Sequence, residues 1–137
     1  MARGAPRHAM SVRDKLRVLV VDDMSTSRGL LLQGLDNLGI SQVEYAESGS
    51  SAIASLSRRP VHLVLSDYHM PGMDGLRLLH AMRSQAATAK TGFVLVSGRA
   101  DPAVLDAGRK MGMNNFLQKP FAVDTLRAAI EAVVGRL

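Results

Sequence analysis

The sequence predicts an α/β fold, a single doubly wound domain whose five-stranded parallel sheet carries helices on both faces. Three observations predict it. Five short apolar runs alternate with five segments of helical period, the pattern of a βαβ chain. The runs Val18-Leu19-Val20-Val21, Val61-His62-Leu63-Val64-Leu65 and Phe93-Val94-Leu95-Val96 are almost continuously apolar, as strands buried on both sides must be. The chain has 137 residues, 47% of them apolar, enough for one core and too few for two domains.

Each element follows from local chemistry. The first strand, Arg17 to Val21, leads through Asp22-Asp23-Met24 to Ser25, a suitable N-cap. The helix behind it places Leu31, Leu32, Leu35 and Leu38 at helical spacing and stops at Gly39. Gln42 to Ala46 forms a shorter second strand. Ser48 to Leu56 reads as a second helix with Ile53 and Leu56 inward, closed by Arg58-Arg59-Pro60. The third strand, His62 to Ser66, ends at Asp67, and Pro71, Gly72 and Gly75 in the loop behind it forbid continuation. A third helix runs from about Asp74, its cap, to Ser84. The polar connection Gln85 to Thr91 reaches the fourth strand, Gly92 to Val96, which is followed by Ser97-Gly98. Asp101-Pro102 has the cap-then-proline signature of a helix start, and this fourth helix ends near Met111 with Gly112 behind it. The fifth strand, Asn115 to Gln118, stops at Lys119-Pro120. A last helix, from about Val123 to Val134, brings Leu126, Ile130 and Val133 onto one face.

Cysteine is absent, which removes disulfides, thiolate metal sites and thiol nucleophiles and suits a cytoplasmic location. No secretory leader and no apolar stretch of spanning length is found, so no membrane insertion is expected. The net charge of +5 raises the question of nucleic acid, and its distribution argues against it. Five basic and one acidic side chain precede residue 18, leaving twelve basic and eleven acidic side chains for the other 120 residues. The body is nearly neutral. Residues 1–14 are expected to form a flexible basic arm ahead of a domain over 15–137, and no nucleic-acid partner is expected.

The functional expectation comes from what the strands end in. Asp22 and Asp23 close the first, Asp67 the third, Ser97 the fourth and Lys119 the fifth. In an open parallel sheet the carboxyl ends share one edge, so these distant residues converge on a single polar site. A hard cation such as Mg²⁺ takes oxygen ligands and is commonly held by one or two carboxylates plus a phosphate, a role that suits Asp22, Asp23 and Asp67. Carboxylates crowded together also repel one another, which should raise at least one pKa until a metal binds. Asp67, on a central strand, is the natural nucleophile for an aspartyl phosphate, and Lys119 and Ser97 can hold phosphoryl oxygens.

These residues resemble the response-regulator receiver family from Lys15 to Leu137, and most closely its single-domain chemotaxis-type members. The acidic pair in Val20-Val21-Asp22-Asp23, the segment Ser66-Asp67-Tyr68-His69-Met70-Pro71-Gly72-Met73-Asp74-Gly75 and the run Lys119-Pro120-Phe121 match family motifs. Spacings of 45, 30 and 22 residues from Asp22 through Asp67 and Ser97 to Lys119 require no insertion. The resemblance implies a flavodoxin-like (βα)5 domain with strand order 2-1-3-4-5. It implies that Asp67 accepts phosphate from a histidine kinase or its phosphotransfer domain. Asp23 and Asp67 would touch Mg²⁺ directly, Asp22 through water, and the backbone carbonyl of His69 would be a further ligand. Ser97 and Lys119 would hold the phosphoryl group, the Lys119-Pro120 bond would be cis, and Phe116 would be the switch aromatic that moves inward when Ser97 shifts.

The chain would then be a stand-alone, monomeric switch that catalyses its own phosphorylation and dephosphorylation yet acts by binding. Its output surface would be the fourth helix, fifth strand and fifth helix, roughly Asp101 to Val134. The expected partner is a downstream protein, the flagellar motor switch foremost; a phosphate sink or phosphorelay intermediate is the alternative. Phe116 stands where a tyrosine is frequent, so contacts through a phenol hydroxyl are lost. His69 and Arg99, each two residues beyond Asp67 and Ser97, sit where side chains tune water access and so phosphate lifetime. Asp74 and Asp101 read as helix caps, and Met111 and Met113 as filler or partner surface. A more distant reading, a metal-dependent aspartyl-phosphate hydrolase, also uses Asp67 but usually needs a second acid where His69 stands.

Overall fold

The computed structural model describes residues 11–137, in which six helices and five strands follow one another. The basic arm expected over 1–14 lies mostly outside the described residues. Its last part turns into a short helix, α1 (Val12–Lys15), which the sequence periodicity does not announce. The Asp14 carboxylate accepts hydrogen bonds from Ser11 N and Oγ, both at 3.1 Å, satisfying free groups at the helix start.

After α1 come β1 (Arg17–Val21), α2 (Ser25–Asn37), β2 (Gln42–Ala46), α3 (Gly49–Arg58), β3 (Leu63–Asp67) and α4 (Gly75–Arg83). The chain continues with β4 (Gly92–Ser97), α5 (Pro102–Lys110), β5 (Asn115–Gln118) and α6 (Val123–Val134). All strand pairs are parallel, in the order β2-β1-β3-β4-β5, the order that the resemblance implied. This places β3 at the centre and every strand's carboxyl end on one edge.

Alternation inside the apolar runs divides the core in two. Val18, Val20, Leu63, Leu65, Val94 and Val96 face one layer with Leu31 and Leu35 of α2 and Leu126 and Ile130 of α6. Leu19, Val21, Val64, Phe93 and Leu95 face the other, with Leu56 of α3 and Leu78, Leu79 and Met82 of α4. Successive side chains of a strand point to opposite faces, so a run apolar at every position has two hydrophobic surfaces to bury.

Several boundaries differ from the sequence reading, among them that the second helix runs Gly49–Arg58 and the third strand starts at Leu63. The residue capping α2 is Met24, because its carbonyl already accepts from Arg28 N at 2.8 Å; Ser25 is the first helical residue and its side chain makes no cap. Asp67 belongs to β3 and Ser97 to β4, each one position further than the apolar runs extend, because the ladder with the neighbouring strand holds them. Gly39 closes the end of α2 with φ +78°, a left-handed turn that a side chain would strain. Asp74 and Asp101 do cap α4 and α5, accepting from Arg77 N (2.8 Å) and Ala103 N (3.0 Å).

Candidate functional site

Three carboxylates and one ammonium meet at the carboxyl edge. Asp22, Asp23 and Asp67 each offer an oxygen, and these atoms lie within 4.8 Å of one another. β1 and β3 are adjacent and end side by side, which is why residues 45 apart in sequence come within 4.8 Å. Asp22 is fully buried and Asp67 is 6% exposed, while Asp23 is half-buried. Asp22 extends the ladder, donating from its N to Ala46 O at 3.1 Å, and turns Oδ1 to accept from Met24 N at 2.9 Å. The helix start is thereby tied to the first carboxylate.

The opposite side of the site comes from β5. Lys119 Nζ donates to Asp67 Oδ1 at 3.1 Å and lies 3.5 Å from Asp22 Oδ2. A third and shorter contact, to Ser27 Oγ at 2.6 Å, joins it to the first turn of α2. Lys119 N donates to Ser97 O at 2.8 Å, and the Lys119-Pro120 peptide bond is cis. Ser97 is 3% exposed at the end of β4, its Oγ accepting from Arg99 N at 3.3 Å. Phe116 stands one strand further out, half-buried against the α3/α4 layer.

An open cleft of about 610 Å³ gives access to the carboxylates, lined by Asp23, Met24, Asp67, Tyr68, His69 and Asp74 among others. His69 is exposed, with its ring 4.7 Å from that of Tyr68 at an interplanar angle of 67°. The loop beneath this cleft is held tightly. Gly75 N donates to Tyr68 O at 2.9 Å, and a Cβ on Gly75 would stand 2.5 Å from the carbonyl oxygen of Asp67. Only glycine lets α4 begin this close to the end of β3.

Burial holds the Asp67 carboxyl above the usual carboxylate range, and the neighbouring Asp22 charge adds to the rise; the Lys119 hydrogen bond and charge oppose it without cancelling it. Crowding alone was the expected cause. Burial is the larger one.

Asp22 Oδ2 and Asp23 Oδ1 are buried without a hydrogen-bond partner. A buried carboxylate oxygen without a hydrogen bond is costly, and with Asp22 Oδ2 reached only by the Lys119 ammonium at 3.5 Å a divalent cation would supply the further pairing. The donor set, oxygens alone with an open cleft beside them, fits Mg²⁺. At ten times its dissociation constant Mg²⁺ should stabilise the protein by about 1.4 kcal/mol, read as a rise in Tm. Asp23→Asn should lose most of that rise, and equal shifts in both proteins would remove the metal from this trio.

Of the residues singled out from sequence, the fold unites Asp22, Asp23, Asp67 and Lys119, sets Ser97 and His69 at the margin and leaves Phe116 apart. Sequence reading missed Ser27 and Met24. The signal for Ser27 was its place in the first turn of a helix that starts over the carboxyl edge of the sheet.

Comparison with known proteins agrees with this geometry. The family profile for the response regulator receiver domain matches residues 18–131. The chain is 41% identical over 128 residues to a probable chemotaxis protein CheY of Rhizobium etli, covering 93% of this chain and 99% of that protein. It is 28% identical over 122 residues to chemotaxis protein CheY-3 of Vibrio cholerae, covering 89% and 94% respectively. The solved structure of Vibrio cholerae CheY4 superposes with a TM-score of 0.81 at 29% identity, covering 86% of this chain and 98% of that one.

Proposed function

The chain belongs to the response regulator receiver domain family, and from that premise we propose that it is a phosphorylation-activated switch with Asp67 as its phosphoacceptor. As a receiver domain of a two-component response regulator it works with a histidine kinase and an effector. The observation that carries the specific reading is the Lys119 ammonium 3.1 Å from Asp67, with two further carboxylates around it and an open cleft beside them.

The chemistry is displacement at phosphorus. An Asp67 carboxylate oxygen attacks the phosphorus of a phosphohistidine, the P–N bond breaks, and the imidazole nitrogen leaves with the electron pair and takes a proton from solvent. A mixed acyl phosphate remains on Asp67 until water attacks phosphorus and the P–O bond to the carboxylate breaks. Phosphoryl transfer needs mainly positioning and charge neutralisation. Lys119 serves one phosphoryl oxygen and the Ser97 hydroxyl a second. Mg²⁺, held by Asp22, Asp23, Asp67 and the His69 carbonyl, would neutralise charge on the transferring group. Attack requires the ionised carboxylate, and pairing with Lys119 and a cation offsets the burial that favours the neutral acid.

The acyl phosphate adds charge beside the Ser97 hydroxyl, with the half-buried Phe116 one strand further out. Such a local change can bias two conformations separated by a few kcal/mol. The surface affected is α5–β5–α6, where Met111 is 37% exposed, and the leading pathway is chemotaxis, by analogy with the Rhizobium etli relative. A phosphate sink remains the alternative. His69, exposed on the cleft, and Arg99, whose N donates to Ser97 Oγ, flank the path of the hydrolytic water. His69→Asn and Arg99→Glu are expected to change the decay rate of the acyl phosphate by several-fold, about 1 kcal/mol in barrier; lifetimes equal to wild type would end this assignment. The test of the whole reading is incubation with acetyl phosphate and Mg²⁺. One acyl phosphate on Asp67, found by intact mass and lost on treatment with hydroxylamine, is the expected result, and an unlabelled or hydroxylamine-stable protein overturns it.

A further inference from the structure

We propose that Ser27 is a positioning residue for phosphoryl transfer, its hydroxyl anchoring the Lys119 ammonium independently of the carboxylates. The inference rests on Asp67 being the phosphoacceptor.

An ammonium has three N–H donors and no acceptor. In the structure Lys119 Nζ meets Ser27 Oγ at 2.6 Å, Asp67 Oδ1 at 3.1 Å and Asp22 Oδ2 at 3.5 Å. The shortest contact is therefore to the neutral partner. The other two belong to the residues with which a divalent cation would compete, and that cation would also repel the ammonium. Ser27 is the one contact that the metal does not claim. It carries no charge, so it holds the lysine without weakening the positive field offered to a phosphoryl oxygen.

Position matters as much as chemistry. The backbone of Lys119 is held by Ser97 O at 2.8 Å, which leaves the four-carbon stem as the free part. That stem has about 2 kcal/mol of rotamer entropy, and a hydrogen bond at its tip removes much of the freedom in advance. The anchor is itself placed by the acidic pair: Asp22 Oδ1 accepts from Met24 N, and Ser27 follows in the first turn of α2. The acidic pair and the lysine anchor thus lie in one short segment, so the start of α2 fixes the ammonium relative to Asp22.

The experiment follows acyl-phosphate formation from acetyl phosphate at saturating Mg²⁺ in wild type, Ser27→Ala, Ser27→Thr, Lys119→Met and Ser27→Ala/Lys119→Met. Alanine and threonine are both tolerated in the first turn of a helix, so folding is retained. Ser27→Ala should slow formation about five- to tenfold, within the range for the net contribution of one typical hydrogen bond. Ser27→Thr, which keeps the hydroxyl, should stay within about twofold of wild type, and Ser27→Ala should add less than about twofold once Lys119 is already Met. In metal-free protein the ¹H–¹⁵N signal of the Lys119 ammonium should be seen in wild type and Ser27→Thr and broadened away in Ser27→Ala. Wild-type rates in Ser27→Ala, failure of threonine to restore them, or the full loss repeated in the Lys119→Met background would overturn the inference. A wild type that is not labelled on Asp67 overturns the phosphoacceptor reading and this inference with it, a result distinct from labelled wild type beside an unaffected Ser27→Ala.

Discussion

Asp67→Asn is expected to lower acyl-phosphate formation roughly a thousandfold or more, as loss of a nucleophile does, and yet to make the metal-free protein more stable than wild type. The two effects have one cause. Asp67 is the last residue of β3, 6% exposed, beside Asp22 and the Lys119 ammonium at the carboxyl edge of the sheet. Burial there raises its pKa, and the nearby Asp22 raises it further. An acid whose folded-state pKa exceeds its unfolded value binds its proton more tightly when folded. Its contribution to stability is complete below the unfolded pKa and declines as pH rises through the folded value, above which the buried charge is a net cost. Asparagine never ionises. In metal-free buffer the Tm advantage of Asp67→Asn should therefore open as pH rises out of the carboxylate range, and it should close when Mg²⁺ pairs the wild-type carboxylate. Undiminished labelling of Asp67→Asn would remove Asp67 from the chemistry, and a Tm advantage that is independent of pH would show that ionisation is not its source.

Lys119→Met should destabilise the metal-free protein near neutral pH by about 2–4 kcal/mol. Breaking a buried ion pair by removing one partner typically costs about 3–5 kcal/mol, because the other charge is left uncompensated. Here two charges are left, on fully buried Asp22 and on Asp67, but Lys119 keeps 25% of its side chain in water, which screens the pair and moderates the loss. Without the ammonium Asp67 should titrate higher still, so the deficit belongs to pH values above that raised pKa and should shrink as pH falls through it. Mg²⁺ should relieve it as well, by supplying the missing positive charge. Urea unfolding of both proteins near neutral pH, in mild acid and with added Mg²⁺ separates these terms. A deficit of equal size in all three conditions would mean that the aliphatic stem of Lys119, and not its charge, supports the edge.

How far the site was legible follows from particular residues. Asp22, Asp23 and Asp67 could be found because each ends an apolar run, and a run of that kind stops where the chain leaves the sheet. Ser27 ends no run and breaks no period. Its hydroxyl matters only because Lys119 arrives from 92 residues away, and no pattern within one segment encodes that meeting. Ser25 was the better cap on residue type, yet Met24 occupies the cap because the neighbouring Asp22 carboxylate accepts its N–H. The α1 helix was invisible for a similar reason: four residues carry too little period to read, and the Asp14 to Ser11 contacts that close its first turn are local hydrogen bonds.

The amino-acid order determined by itself that there would be five strands covered on two faces, since Val18 to Val21 and Leu63 to Leu65 are apolar at successive positions and must be buried on both sides. It also determined where polar groups would emerge, because charge is excluded from those runs until they end. Only the tertiary structure decided how the groups meet: that burial outweighs Lys119 at Asp67, that Asp22 Oδ2 and Asp23 Oδ1 are buried without a hydrogen bond, and that the lysine is held by a serine of α2. Those outcomes depend on distances across adjacent strands and on how much water remains at the edge, quantities that exist only once the chain is packed.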